Sequence, residues 1–363
     1  MVPRGKEQAP EQHAERARAL VARLPASAIE RLAADASMPQ WLAEPFAVRT
    51  VERRGDARYL RAASSHRNER GLWKRISALR ILCAVGHPEA PGLLKTALLE
   101  GDLDLAGAAV SLLGTQSSRE AAELLVHALR ERRHPPSRVA ARLDRFPLDV
   151  VDLLAPLVRD ADPSIRYWGA TLLARYPARP EVEAALAGLA MDDDPSVRKA
   201  AVESLGVVGG TGAAPTALRL LGDPVFFVRA HAARALGDLE RHDLAPRVLP
   251  LLADAEWWVR TAAKDALQAM GPEVAAAVAG SLDHPDRFAR NGAAEVLQNL
   301  GVLDEIAARA ARGDVTVDDR ALLEKAAAAG GIVPATGTVR RILPAVSDRM
   351  RTLLAGAVAR PAS

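Results

Sequence analysis

Hydrophobic and polar positions follow the period of a helix along this chain, and one pattern returns at nearly even steps. Its clearest copy is Asp194-Pro195-Ser196-Val197-Arg198, running on through Ala201 and Leu205 to Gly209. Asp194 can accept hydrogen bonds from the first free amides of a helix. Pro195 suits the first helical position because the N–H it lacks would have no partner there. Counted from Arg198, apolar residues fall at −1 (Val197), +3 (Ala201) and +7 (Leu205), which share one face at 3.6 residues per turn. Gly209, at +11, is expected to end the helix with a positive φ.

The same register appears in Ile165-Arg166-Gly169-Leu173, Val228-Arg229-Ala232-Leu236, Val259-Arg260-Ala263-Leu267 and Ala289-Arg290-Ala293-Leu297. Upstream copies are Lys74-Arg75-Ala78-Leu82, the degenerate Leu105-Ala106-Ala109-Leu113 and Ser137-Arg138-Ala141-Arg145. Their zero positions (75, 106, 138, 166, 198, 229, 260 and 290) are 28 to 32 residues apart. A period of that length predicts stacked supersecondary units. An acid usually stands six residues before the arginine: Glu69, Asp160, Asp192, Asp223 and Asp254, with His284 in the last copy. Acids at helix starts opposite neighbouring arginines predict a charge-assisted ladder from repeat to repeat.

On the Asp-Pro-Ser-Val-Arg core at 194–198 and the six-residue Asp-to-Arg spacing, residues 60–301 resemble HEAT repeats of the short bacterial kind found in the phycobilisome-lyase family. The resemblance implies an all-α solenoid of about eight helix pairs, and macromolecular binding more often than catalysis.

Around that array the chain divides as follows. Residues 1–12 are polar with Pro3, Gly5 and Pro10, and are expected to be a disordered arm. Residues 13–59 are expected to form an N-terminal helical cap. Its helices run from Glu15 to Leu24 and from Ser27 to Ala36, the second capped by Ser27, and Trp41, Leu42, Phe46 and Val48 plug the open end of the stack. First helices of the repeats are predicted at Pro180–Ala190, Ala213–Leu221, Leu244–Leu252 and Pro272–Leu282. Beyond Gly301 the register is lost. Three helices (Leu303–Arg312, Asp318–Ala329 with Asp318 as cap, and Val339–Val358) are expected to form a C-terminal cap over 302–363.

Composition narrows the class. No run of eighteen apolar residues exists, which excludes a spanning helix, and the first 25 residues lack a secretory apolar region. The single cysteine, Cys83, excludes internal disulfides and fits a reducing, cytoplasmic setting. The net charge of +3 is unevenly shared: residues 1–145 carry +7 and the remainder −4. Two basic clusters stand out, Arg49, Arg53, Arg54, Arg58, Arg61, Arg67, Arg70, Lys74, Arg75 and Arg80, and then Arg130, Arg132, Arg133, His134, Arg138, Arg142 and Arg145. A phosphate backbone or acidic partner can use such patches, but a solvated helical face is the simpler reading.

With −1, +3, +6 and +7 buried, the open side of each second helix holds +1, +5 and +8, with +2 at its border. Reading +1 and +5 gives Tyr167/Thr171, Lys199/Glu203, Ala230/Arg234, Thr261/Asp265 and Asn291/Glu295. A nucleic-acid groove needs one sign; this mixed wall suits a protein or peptide. Trp168 and His231 are large groups at +2, where they either anchor a ligand or fill a packing gap. Aromatics collect where the second helices begin: Phe226-Phe227, Trp257-Trp258 and Phe288, with Trp73 in the first copy. They form either an exposed contact strip or an inter-repeat staple, and the staple is expected because paired tryptophans in water would lower solubility.

Catalytic signatures are missing: no His-Glu-x-x-His, Cys-x-x-Cys or Gly-x-Ser-x-Gly occurs. No His-Glu dipeptide occurs either, which counts against resemblance to the iron-binding HEAT hydroxylases. Gly206 to Gly212 resembles a phosphate loop but lacks the following Lys-Ser/Thr, so an inter-repeat turn is expected. No catalytic, cofactor or metal residue is assigned. The expected function is a non-catalytic scaffold for a protein or peptide partner. The alternative, by resemblance to the HEAT-like DNA glycosylases and chromophore lyases, is an enzyme or nucleic-acid binder using the basic N-terminal half. Sequence does not set the oligomeric state.

Overall fold

The computed structural model describes residues 19, 21, 24–35, 40–65, 69–100, 102–132, 134–176, 179–311, 314 and 316–329. The arm at 1–12, most of the 15–24 helix, Arg67, Arg133, the helix at 339–358 and the side chains of Trp41, Leu42, Glu69 and Arg70 lie outside the described residues. What is described is helical, as an all-α solenoid requires, and falls into two compact units, Met1–Leu154 and Ala155–Ser363.

In unit 1, α1 (Ala26–Ala33) and α2 (Gln40–Arg54) precede three helix pairs. These are α3 (Asp56–Ala63) with α4 (Glu69–Ala84), α5 (Ala90–Glu100) with α6 (Leu103–Leu113), and α7 (Arg119–Glu131) with α8 (Pro136–Asp144). A short α9 (Val151–Leu154) ends the unit.

Unit 2 holds five pairs. A 3-10 turn (Ala155–Arg159) joins α10 (Pro163–Leu173), α11 (Pro180–Leu189) joins α12 (Pro195–Val208), and α13 (Ala213–Leu220) joins α14 (Phe226–Asp238). Then α15 (Ala245–Val248) joins α16 (Trp257–Ala269), and α17 (Ala275–Gly280) joins α18 (Arg287–Asn299). The helices α19 (Val302–Ala311) and α20 (Val317–Ala329) follow. Each zero position from 75 to 290 falls in a second helix, but in α8 the −1, +3 and +7 residues Ser137, Ala141 and Arg145 are exposed, and Val139, Ala140 and Leu143 are buried instead.

The predicted capping holds at Asp194, whose Oδ1 accepts the Ser196 and Val197 amides at 2.7 and 3.3 Å. Asp162 and Asp286 cap α10 and α18 in the same way. Gly209 ends α12 with φ +74°. The apolar positions Val197, Ala201 and Leu205 are buried, and so are their equivalents in α14, α16 and α18.

The ladder forms at three of the five predicted acids, Asp192, Asp223 and Asp254. Arg166 grips Asp192 with Nε and Nη2 (2.6 and 2.8 Å), Arg198 grips Asp223 (2.8 and 3.0 Å), and Arg229 grips Asp254 (2.9 and 2.8 Å). The remaining nitrogen, Nη1, donates to two carbonyls of the arginine's own loop; for Arg198 these are Asp192 and Asp193. One guanidinium thus closes its own turn and holds the next repeat. At Arg260 the next acid is replaced by His284, and the guanidinium lies 4.3 Å from the Phe288 ring centroid instead. His284 Nδ1 accepts the Asp286 amide at 3.0 Å, as Asp254 accepts Glu256, so the turn survives while the rung is lost.

Several expectations are corrected. In α12 and α14 the +8 position does not face outward, whereas Ala174, Gln268 and Gln298, at +8 of the α10, α16 and α18 copies, are half-buried. Gly206 and Gly237 are buried, and a Cβ built on them would sit 3.0 Å from Ala235 Cα and 2.8 Å from Ala266 Cα. They are the points at which successive second helices touch. Two predicted first helices are broken into 3-10 turns: Leu249–Ala253 follows α15, and Pro272–Val274 and Ser281–Asp283 flank α17. Pro250 removes an amide there, and Pro272 and Gly280 bracket the other. Ser27 is not a cap, because Pro25 (φ −67°) starts α1 with no side-chain cap bond. Nor is Asp318: Thr316 Oγ1 accepts the Asp319 amide while the Asp319 carboxylate accepts the Thr316 amide, a reciprocal capping box. In the N-terminal plug Phe46 is buried but Val48 is exposed.

Candidate functional site

The outward residues of the second helices in unit 2 form two adjoining rows. The first is the +1/+2/+5 wall. Tyr167 and Trp168 are half-buried and meet edge to face with centroids 5.2 Å apart. Beyond them the charges pair with one another. Lys199 reaches Glu203 at 3.3 Å within α12, and His231 Nδ1 reaches Glu203 Oε1 at 2.7 Å from the next helix. Arg234 approaches Asp265 at 3.5 Å, and Lys264 meets Glu295 at 2.6 Å, each across one repeat. Partial burial works to raise the Glu203 carboxyl, but the bond to His231 and the charges of His231 and Lys199 outweigh it, holding it below the ordinary glutamate range. The large group at +2 in α14 therefore serves a cross-repeat contact. The mixed-sign wall is a string of internal ion pairs.

The second row is the aromatic edge. Position −2 lies one helical turn before +1 and +2, so Phe227, Trp258 and Phe288 extend the wall toward the helix N-termini. Here the staple expectation is corrected. Trp257 and Trp258 are 52% and 49% exposed, and Phe226 and Phe288 are exposed as well. The indoles stack on each other at 3.9 Å, and Phe226 meets Phe227 edge to face at 5.6 Å, so both pairs lie within one repeat. Phe288 bridges repeats, its ring meeting Arg260 of the preceding repeat and Arg287 (4.6 Å) of its own. Self-stacking removes part of each indole from water and supplies what the solubility argument assumed only a staple could.

The basic clusters are largely tied down in unit 1. Arg49 pairs with Glu52 at 3.1 Å, Arg54 and Arg58 converge on Glu30 at 2.9 and 3.8 Å, and Arg61 bonds the Ala57 carbonyl. Arg53, Arg130 and Arg132 are exposed, and Arg132 takes φ +54° where α7 ends. The loop at 209–212 is an inter-repeat turn whose inner side is filled by the Glu183 carboxylate, accepting the Gly212 amide at 3.2 Å. A carboxylate there repels phosphate. Cys83 is buried, which pushes its thiol up to about 12, an inert group at neutral pH. Among the described residues no helix is long and apolar enough to cross a membrane.

Comparison with known proteins bears on the fold. Residues 150–230 and 220–298 match the family model for HEAT repeats. Among solved structures, the complex of CpcE and CpcF of phycocyanin lyase from Nostoc sp. PCC7120 is 22% identical, over 58% of this chain and 96% of that one, with a TM-score of 0.36. The karyopherin Kap121p, bound to the extreme C-terminus of the protein phosphatase Cdc14p, is 13% identical over 95% of this chain and 45% of that one, with a TM-score of 0.52. At that identity the likeness to the karyopherin is one of fold. A search of the curated proteins returned no match.

Proposed function

We propose that this protein is a non-catalytic cytoplasmic scaffold, binding a protein or peptide partner along the second helices of unit 2, where residues 150–298 match the family model for HEAT repeats. On this reading residues 60–301 are the working array, and 13–59 and 302–363 are its caps. The observation that carries the proposal is the half-exposed Trp257-Trp258 pair, flanked in neighbouring repeats by Phe226, Phe227 and Phe288. Aromatic anchors supply most of the energy of a protein interface, and charges around them set orientation and on-rate. Because the wall charges already pair among themselves, they present little net field. The partner that fits is an apolar-faced segment able to cover the indoles, with Tyr167, Trp168, His231 and Arg234 at its far side.

The Trp257→Ala/Trp258→Ala double variant, together with a photo-crosslinker at position 258 in the native host, tests this. A defined protein cross-linked at 258, and lost from the double variant while its melting temperature stays near that of the parent chain, is the expected result. A double variant that shifts only stability, with no cross-linked protein, overturns it.

A further inference from the structure

Independently of unit 2, the second helices of unit 1 enclose an open cleft of about 620 Å³, in the range of small-molecule sites. Arg80, Arg138, Arg142 and Arg145 line it against a single carboxylate, Asp104. Arg138 and Arg142 stand one turn apart on α8 and so share one face, and Arg145 follows at its C-cap. Arg80 is committed in part, donating to the Ala34 carbonyl at 3.0 Å, and Arg142 only touches Ser111 Oγ at 3.5 Å. Arg138 and Arg145 are exposed and make no hydrogen bond or ion pair among the described residues.

Two further groups separate this cleft from an ordinary basic surface. Trp73, on its rim, is 68% exposed and unlike the unit 2 indoles has no stacking partner among the described rings. His134, in its wall, is 5% exposed, and its Nε2 is buried without a hydrogen-bond partner. Buried polar nitrogens are nearly always paired, and this one, in the wall of the cleft, is an exception. Burial first, and then the charge of Arg138, hold the His134 ring below the ordinary histidine range, so at neutral pH it offers one N–H and one lone pair.

We propose that this cleft binds a small phosphorylated molecule bearing a flat ring, of nucleoside-phosphate size and chemistry. Its phosphate sits among Arg138, Arg142 and Arg145, and its ring lies on Trp73. Guanidinium groups match phosphate oxygens in fork geometry, and an exposed indole is the surface on which a flat ring stacks. Nε2 of His134 completes the polar contacts.

Calorimetric titration with ADP, pyrophosphate and adenosine tests the proposal, because ADP carries both halves of the ligand. ADP is expected to bind more tightly than either fragment. Arg138→Ala and Arg145→Ala should each weaken ADP by about tenfold. Trp73→Ala should weaken ADP but leave pyrophosphate unchanged, and Arg53→Ala, an exposed arginine outside the cleft, should change neither. All four side chains are exposed, so thermal melts of the variants should overlay and separate lost binding from lost fold. No detectable ADP binding, equal sensitivity to Arg53→Ala, or tighter binding of a single-stranded oligonucleotide than of ADP would each overturn it.

Discussion

Asp223 takes the Arg198 guanidinium on both carboxylate oxygens and the Val225 amide on Oδ1, and it is nearly buried while doing so. Burial alone would raise its pKa. Arg198, the Val225 amide and the charge of Arg229 outweigh that, so the carboxyl titrates below the usual aspartate range. A depressed native pKa means that the stabilisation is fully present above the unfolded value of about 3.9 and is lost as pH falls toward the native one. Asp223→Asn removes the charge and one of the two acceptors that face Arg198. Breaking a fully buried pair costs roughly 3–5 kcal/mol, and partial water access should bring this rung to about 2. Urea midpoints at pH 7 should therefore separate the variant from its parent, and the gap should close below about pH 3.9 as the parent loses the same charge. A gap that persists unchanged into acid would mean that the variant fails for a reason other than charge.

Helix packing turns on glycines whose meaning depends on what faces them. Gly188, in α11, has nothing within 4 Å of a built Cβ, whereas Gly237, in α14, meets the Ala266 backbone at 2.8 Å. Alanine is the better helix former by about 0.5–1 kcal/mol, so Gly188→Ala should raise the melting temperature. Gly237→Ala should lower it, because backbone cannot yield as a side-chain end does, and overpacking of this kind costs about 1–3 kcal/mol. Differential scanning fluorimetry of the two variants checks the sign directly, and two shifts in the same direction would refute the packing account. These two glycines also show how far the sequence could be read. The Asp-to-Arg spacing and the small-residue register are periodic, and from them the helix pairs, the cap at Asp194 and the rungs at Asp192, Asp223 and Asp254 were legible. Whether +8 faces water depends on how closely one second helix approaches the next, which no single repeat encodes; that is why it was read as open. The unit 1 cleft was invisible for a related reason. His134 and the arginines of α8 come from one repeat and Trp73 from another two repeats earlier, so that they share one cleft depends on how the helices pack, which no single repeat encodes.

At the scale of the whole molecule, each repeat touches mainly its neighbours, so cohesion is carried joint by joint. The joints of unit 2 are not equal. Those between α10 and α16 carry bidentate Arg–Asp rungs through Asp192, Asp223 and Asp254, while the joint to α18 has Arg260 over the Phe288 ring and Lys264 on Glu295. Amide exchange should therefore reach α18, α19 and α20 before it reaches α12 to α16, as local opening starts where coupling is weakest. Restoring the missing acid tests the cause. Arg260 Nη1 already bonds the Asp254 and Ala255 carbonyls, as each rung arginine bonds its own loop, and His284 already accepts the Asp286 amide that a carboxylate would accept. His284→Asp thus keeps the turn and adds the one group the fourth rung lacks, for a gain of about 1 kcal/mol at a partly exposed pair. Slower exchange through 287–299 with little change at 163–208 is the expected pattern. Equal slowing everywhere, or none, would show that the rungs are not what couples one repeat to the next.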